Sequence, residues 1–221
     1  MELKRKLEQD ISSWFTSGAR RPLLIKGARR TGKTFTIEQM GRRLAGEGFV
    51  KLDFQTDLAA IERIFSCPSD DVDATIARIA EYKRIDLDPS SSLIFFDEVQ
   101  LLDKALNALR FYEDSPWRII ASGSLLGVTT KRRSLPFPSG VQQIEMHPLD
   151  FEEFLWSVGE ERMAKDIRLH FESLEPYVLH ERALELYRRY LTIGGMPLPV
   201  RRWCETGDMR EVELGQHEID A

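Results

Sequence analysis

Three short stretches hold residue types able to do chemistry on a polyphosphate. The first is Gly27-Ala28-Arg29-Arg30-Thr31-Gly32-Lys33-Thr34, where four residues separate two glycines and Lys-Thr follows the second at once. This is the G-x-x-x-x-G-K-[ST] spacing of a phosphate-binding loop. Glycines let the backbone close round an anion with successive N–H groups turned inward. The helix that follows adds its own free N–H groups and positive dipole end. Lys33 then supplies a point charge for the β/γ-phosphates, and the Thr34 hydroxyl a ligand for Mg²⁺. With glycine near 7% of residues, such a pattern arises by chance in roughly 1% of chains of this length. The apolar Leu23-Leu24-Ile25 before it and the helical pattern after it make accident rarer still. The expected nucleotide-contacting residues are Gly27, Ala28, Arg29, Arg30, Thr31, Gly32, Lys33, Thr34 and Phe35.

The second stretch is Asp97-Glu98, directly after the most apolar run of the chain, Leu93-Ile94-Phe95-Phe96. If that run is a parallel strand, the two carboxylates emerge at the same sheet edge as the phosphate loop. Asp97, with Thr34, is then the expected metal-side ligand. Glu98 is the expected catalytic residue that orients and polarises a water for attack on the γ-phosphate, and Lys33 is expected to be catalytic too, through its reach to the β/γ-phosphates. The third stretch, Ser122-Gly123-Ser124, ends the next strand-like run. Ser122 or Ser124 is placed to set a hydroxyl between that water and the γ-phosphate, although Ser-Gly-Ser is also ordinary turn chemistry.

The positioning elements alternate. Leu3, Leu7, Ile11 and Trp14 predict a helix over 3–15,. A strand over 22–26 leads into the loop, and a helix over 33–45 leads out of it, ended by Gly46 and Gly48,. A strand over 49–54, helices over 57–66 and 70–84, the strand 93–96, a helix over 101–112 and strands over 117–121 and 141–146 follow,. The stretch 127–140, with Lys131-Arg132-Arg133 and two prolines, reads as a loop,. Asp150 followed by Glu153 has the form of a helix N-cap with its capping box,. Beyond 160 the apolar periodicity is helical throughout, broken at Ile193–Pro199. The expected fold class is therefore α/β with a parallel sheet over 1–148, then a helical appendage over 149–221.

Composition narrows the function classes. A chain of 221 residues with 42% hydrophobic and 30% charged residues can bury a sizeable core,. A net charge of −5 is no footprint of a nucleic-acid binder,. Cys67 and Cys204 have neither zinc spacing nor the look of a disulfide framework, and His147, His170, His180 and His217 form no close ligand pair,. The charged N-terminus lacks a signal h-region and no apolar run approaches a membrane span, so a cytoplasmic location away from the membrane is expected,.

Taken together, Gly27–Thr34, Phe96-Asp97-Glu98-Val99-Gln100 and Ala121-Ser122-Gly123-Ser124-Leu125-Leu126 resemble the Walker A, Walker B and sensor-1 segments of AAA-type ATPases. Pro136-Phe137-Pro138-Ser139-Gly140, the run His147–Leu155 and Gly194-Gly195-Met196-Pro197 narrow the resemblance to prokaryotic AAA-type P-loop ATPases that carry a further C-terminal domain of the DUF4143 type. The resemblance implies about five strands in AAA order with the phosphate-loop strand central, a small helical lid, and ATP with Mg²⁺. It also implies that this chain is a fragment of a longer one. Arg132 and Arg133 are positional candidates for an arginine acting in trans on a neighbour's γ-phosphate. Beyond ATP and ADP, the partners to look for are a second copy of the chain in a homo-oligomer and a DNA or protein client reached through a C-terminal region. Two rival readings stand beside ATP hydrolysis: a nucleotide-gated interaction switch with little turnover, DNA- or defence-linked, and a P-loop kinase.

Overall fold

A computed structural model describes residues 1–18, 21–124 and 139–220. They fall into two compact units, Leu7–Met146 and a second made of Met1–Lys6 with His147–Ala221.

The first unit is built on a five-stranded parallel sheet of β1 (Leu23–Lys26), β2 (Phe49–Asp53), β3 (Leu93–Asp97), β4 (Arg118–Gly123) and β5 (Gln142–Glu145). Their order is β2-β3-β4-β1-β5, with every neighbouring pair parallel. The phosphate-loop strand β1 is interior but not central: the middle place belongs to β4. The chain leaves β1 for the far edge at β2 and then steps back through β3 and β4, so β1 is flanked on its other side by β5.

Alternation along each strand assigns the faces. Leu23, Ile25, Leu93, Phe95 and Ile120 pack under α1 (Leu7–Thr16) and α2 (Lys33–Ala45). Leu24, Leu52, Ile94, Phe96 and Ile119 pack under α3 (Leu58–Ile64), α4 (Val72–Lys83) and α5 (Asp103–Ala108). β3 is buried at every position, which is why its sequence reads as a continuous apolar run rather than an alternating one,. The helix expected over 101–112 is shorter, because tight 3₁₀ turns at Val99–Leu101 and Leu109–Tyr112 bracket α5.

The second unit is helical, with α6 (Phe151–Ser157), α7 (Glu161–Ser173), α8 (His180–Ile193), α9 (Pro197–Thr206) and α10 (Met209–Asp220). One apolar cluster joins Leu149, Phe154, Ile193, Val200 and Val212; another joins Leu155, Met163, Ala164, Ala183 and Leu186. Asp150 caps α6 by accepting from the Glu153 N–H while the Glu153 carboxylate accepts from the Asp150 N–H,. The break after Ile193 has a steric cause: Gly195 lies so close to the Leu149 carbonyl that a Cβ would overlap it, and Pro197 then opens α9 with its φ preset,.

The first six residues do not continue α1 backwards, nor do they cluster with the phosphate-loop unit as a division at 148/149 would have it. Arg5 is buried against Glu153, its Nε 3.2 Å from Oε1, and its Nη2 donates to the His147 carbonyl. The Lys6 N–H donates to the same Glu153 carboxylate at 2.7 Å. Leu3 joins the Leu149–Phe154 cluster. Among the described residues no helix is long and apolar enough to cross a membrane.

Candidate functional site

Parallel register brings the strand ends together. Ile25 lies beside Ser122 and Lys26 beside Gly123, Asp53 lies beside Asp97, and Phe96 beside Ala121. The carboxyl ends of β1, β2, β3 and β4 therefore present Gly27, Asp53, Asp97 and Ser122 along one edge, where ligands of parallel α/β sheets bind.

The loop from Gly27 to Gly32 joins β1 to α2. Gly27 passes so near the Met146 carbonyl that a Cβ there would lie 2.2 Å from its oxygen. Thr31 is fully buried and its Oγ1 donates to the Ala28 carbonyl at 2.9 Å, which closes the loop on itself. Gly32, at φ 94, is the N-cap of α2 and has no side chain to satisfy the first helical N–H groups, leaving that end suited to an anion. Ala28, Arg29 and Arg30 are exposed along the loop, and Phe35 stands 60% exposed on the first turn of α2.

Lys33 is buried, and its Nζ donates to the Gly27 and Ala28 carbonyls at 3.0 and 2.7 Å. Burial pulls its pKa below the usual lysine value; the nearby Glu98 and Asp97 carboxylates oppose that shift, and Arg29 adds to it. A buried ammonium hydrogen-bonded to neutral carbonyl oxygens has much to gain from a phosphate.

Beside it the acidic pair is tied into a network. Asp97 Oδ1 accepts from Thr34 Oγ1 at 2.9 Å and from Ser122 Oγ at 2.6 Å. The Glu98 N–H donates to the same Ser122 hydroxyl at 3.1 Å. Glu98 adopts a left-handed backbone, φ 59, and its Oε2 accepts from Ser124 Oγ at 2.7 Å and Gln100 Nε2 at 2.6 Å. Thus Ser122 and Ser124 divide the pair, one on the aspartate and one on the glutamate. Thr34 and Asp97 together make a hydroxyl-plus-carboxylate oxygen set that fits a hard cation such as Mg²⁺,. Arg132 and Arg133 lie outside the described residues.

A site residue absent from the sequence reading is Lys51 of β2. Its Nζ lies 2.8 Å from Asp97 Oδ2 and 2.8 Å from Glu38 Oε1. Burial lowers its pKa, but the bonds to Asp97 and Glu38 outweigh that and hold it above the ordinary lysine value. The signal for it was a charge between Phe49 and Asp53 on the half-buried side of a strand whose Val50 and Leu52 are buried.

An AAA domain family model (AAA_14) matches residues 19–155, well over half of the chain. The chain belongs to this AAA domain family. As an AAA domain it is a nucleotide-binding module with a P-loop fold. Among curated proteins, this AAA chain is 26% identical over 132 residues to the uncharacterized protein MJ1544 of Methanocaldococcus jannaschii, covering 60% of this chain and 27% of that protein. It thus spans about a quarter of that relative's length. Among solved structures it is similar to the Signal Transduction ATPase with Numerous Domains (STAND) protein with a tetratricopeptide repeat sensor, PH0952, from Pyrococcus horikoshii. That likeness has TM-score 0.52 and 15% identity, over 97% of this chain and 33% of the other. It is also similar to C. elegans PCH-2, at TM-score 0.51 and 14% identity, over 98% of this chain and 70% of the other. At those identities both likenesses speak to the AAA fold.

Proposed function

We propose that this AAA module binds ATP at the loop Gly27–Phe35 and hydrolyses it with Mg²⁺ to ADP, driving a conformational change in an appended or partner domain. One observation supports the reading above the others: Thr34, Asp97 and Glu98 meet at one sheet edge, with the Ser122 hydroxyl bonded both to Asp97 and to the Glu98 backbone. Thr34 and Asp97 are the residues that would hold Mg²⁺, which when bound neutralises charge on the phosphate oxygens. Lys33 exchanges two carbonyl partners for phosphate oxygens. Glu98 accepts the proton of the attacking water at its carboxylate, an assistance typically worth ~10²–10⁴ in rate. Asp97 keeps its orientation because its two oxygens are separately bonded.

A second reading, the nucleotide-gated switch with little turnover, is favoured by a specific contact. Glu98 Oε2 is held by Ser124 and Gln100, so that oxygen must give up these partners before it can serve a water. The binding site itself is tested by calorimetry on Lys33→Ala. Loss of the loop's buried charge should weaken ATP at least tenfold, about 1.4 kcal/mol. Unchanged affinity in the folded variant would overturn the site.

A further inference from the structure

The aspartate on the metal side is shared with a lysine from the next strand. Lys51 Nζ lies 2.8 Å from Asp97 Oδ2, 2.8 Å from Glu38 Oε1 and 3.6 Å from Asp53 Oδ2. The pleat explains the placement. Lys51 and Asp53 are two apart on β2 and so face the same side of the sheet. Lys51 is registered beside Phe95 and Asp53 beside Asp97, so the lysine side chain runs along the sheet with its ammonium 5.8 Å from the Phe95 ring centre. Glu38 stands four residues after Thr34 on α2, hence on the same helix face one turn along. A single ammonium therefore serves carboxylates from α2, β2 and β3, while the other Asp97 oxygen serves Thr34 and Ser122.

We propose that Lys51 is a tethered counter-cation of Asp97 that sets how much Mg²⁺ the nucleotide site requires, an inference that rests on the site reading above. An ammonium in direct contact with a carboxylate offsets most of the attraction that carboxylate has for a second cation, and it repels a dication at the same edge. Glu38 and Asp53 give the ammonium somewhere to stay when a metal engages Asp97. They lower the cost of the exchange without abolishing it. Lys51 is a positioning residue, acting on the nucleotide only through Asp97 and its metal.

The charge and its alternative seat predict shifts of opposite sign. In Lys51→Met, Asp97 loses its counter-cation and the Mg²⁺ midpoint should fall at least ~fivefold. In Glu38→Gln, Lys51 loses a competing carboxylate, leans more fully on Asp97, and the midpoint should rise about twofold or more. Lys51→Arg keeps the charge and should stay near wild type. The readout is equilibrium binding of a fluorescent methylanthraniloyl-ADP to the whole chain across a buffered Mg²⁺ series, with circular dichroism confirming that each variant is folded. A Lys51→Met midpoint at or above wild type overturns the proposal, as does movement of Lys51→Met and Glu38→Gln in the same direction. If Lys51→Met does not fold, Glu38→Gln decides, and a midpoint at or below wild type overturns the proposal. If wild type binds no nucleotide at any Mg²⁺ level, the site reading itself has failed and this inference falls with it.

Discussion

Ser122→Ala removes the hydroxyl that joins the two acidic residues. Ser122 has no exposed surface; its Oγ donates to Asp97 Oδ1 at 2.6 Å and accepts from the Glu98 N–H at 3.1 Å. The bond to the carboxylate is of the charge-assisted kind, worth roughly 1.5–3 kcal/mol, and a buried N–H left without a partner costs about 1–3 kcal/mol. Asp97 keeps Thr34 and Lys51, and alanine fits the space, so the combined loss should fall at roughly 2–4 kcal/mol. The Glu98 backbone is in the left-handed region, which costs about 1–3 kcal/mol for a non-glycine residue and persists only while its surroundings hold it,. Without the Ser122 bond Glu98 should drift from its place, and a misplacement of about 1 Å can cost ~10²-fold in rate. Three measurements belong together: urea unfolding, amide exchange at Glu98, and single-turnover hydrolysis. The expected result is a destabilised chain, faster Glu98 amide exchange and at least tenfold slower hydrolysis, with Ser122→Thr keeping much of each because it keeps the hydroxyl. A Ser122→Ala protein with wild-type stability, exchange and turnover would refute the reasoning.

Gly27→Ala should abolish nucleotide binding and lower the unfolding midpoint. The new Cβ would meet backbone, not a flexible side-chain end, and such overpacking costs roughly 1–3 kcal/mol; a normally stable variant that still binds ATP would show that the loop can move away from Met146. The clasp of Met1–Lys6 onto its own unit should be pH-bounded. Burial raises the Asp150 carboxyl, but the Lys6 ammonium and the Glu153 N–H outweigh that and hold it below its ordinary 3.8. Burial likewise lowers Lys6, while its bonds to Asp150 and Glu152 hold it above its ordinary 10.5. Asp150's depressed value gives stability that is complete above 3.8 and lost as pH falls through the folded value. Lys6's raised value gives stability that is complete below 10.5 and lost as pH rises through its folded value,. Proteolysis near the N-terminus should therefore be constant from about pH 5 to about pH 9, and release inside that window would contradict the clasp.

The features visible in the sequence are those set by local spacing. The bounds of α2 follow from Gly32 before it and Gly46 after it, and β3 from its unbroken apolar run. The capping box of α6 follows from Asp150 and Glu153. Chemistry-bearing residues at strand ends were also legible, because a parallel sheet collects such ends on one edge. What escaped depended on distant partners. Leu3 has helical spacing with Leu7, yet Arg5 and Lys6 are drawn to Glu153 nearly 150 residues away, and no local periodicity contains that pairing. Lys51 looked like the polar side of an alternating strand. Only the register of β2 on β3, which aligns Asp53 with Asp97, turns it toward the site. The separate partners of Ser122 and Ser124 likewise arise from the turn at Glu98 rather than from Ser-Gly-Ser itself.

The central claim is that Glu98 serves hydrolysis while Lys33, Thr34 and Asp97 serve binding. The most direct test pairs ATP affinity with single-turnover hydrolysis in wild type and Glu98→Gln. The amide keeps the size of the side chain and much of its hydrogen bonding to Ser124 and Gln100 but loses the basic oxygen. The account predicts ATP affinity within about threefold of wild type and hydrolysis slower by ~10²-fold or more, so that the variant stays loaded with uncleaved ATP. Hydrolysis by Glu98→Gln at the wild-type rate would contradict it.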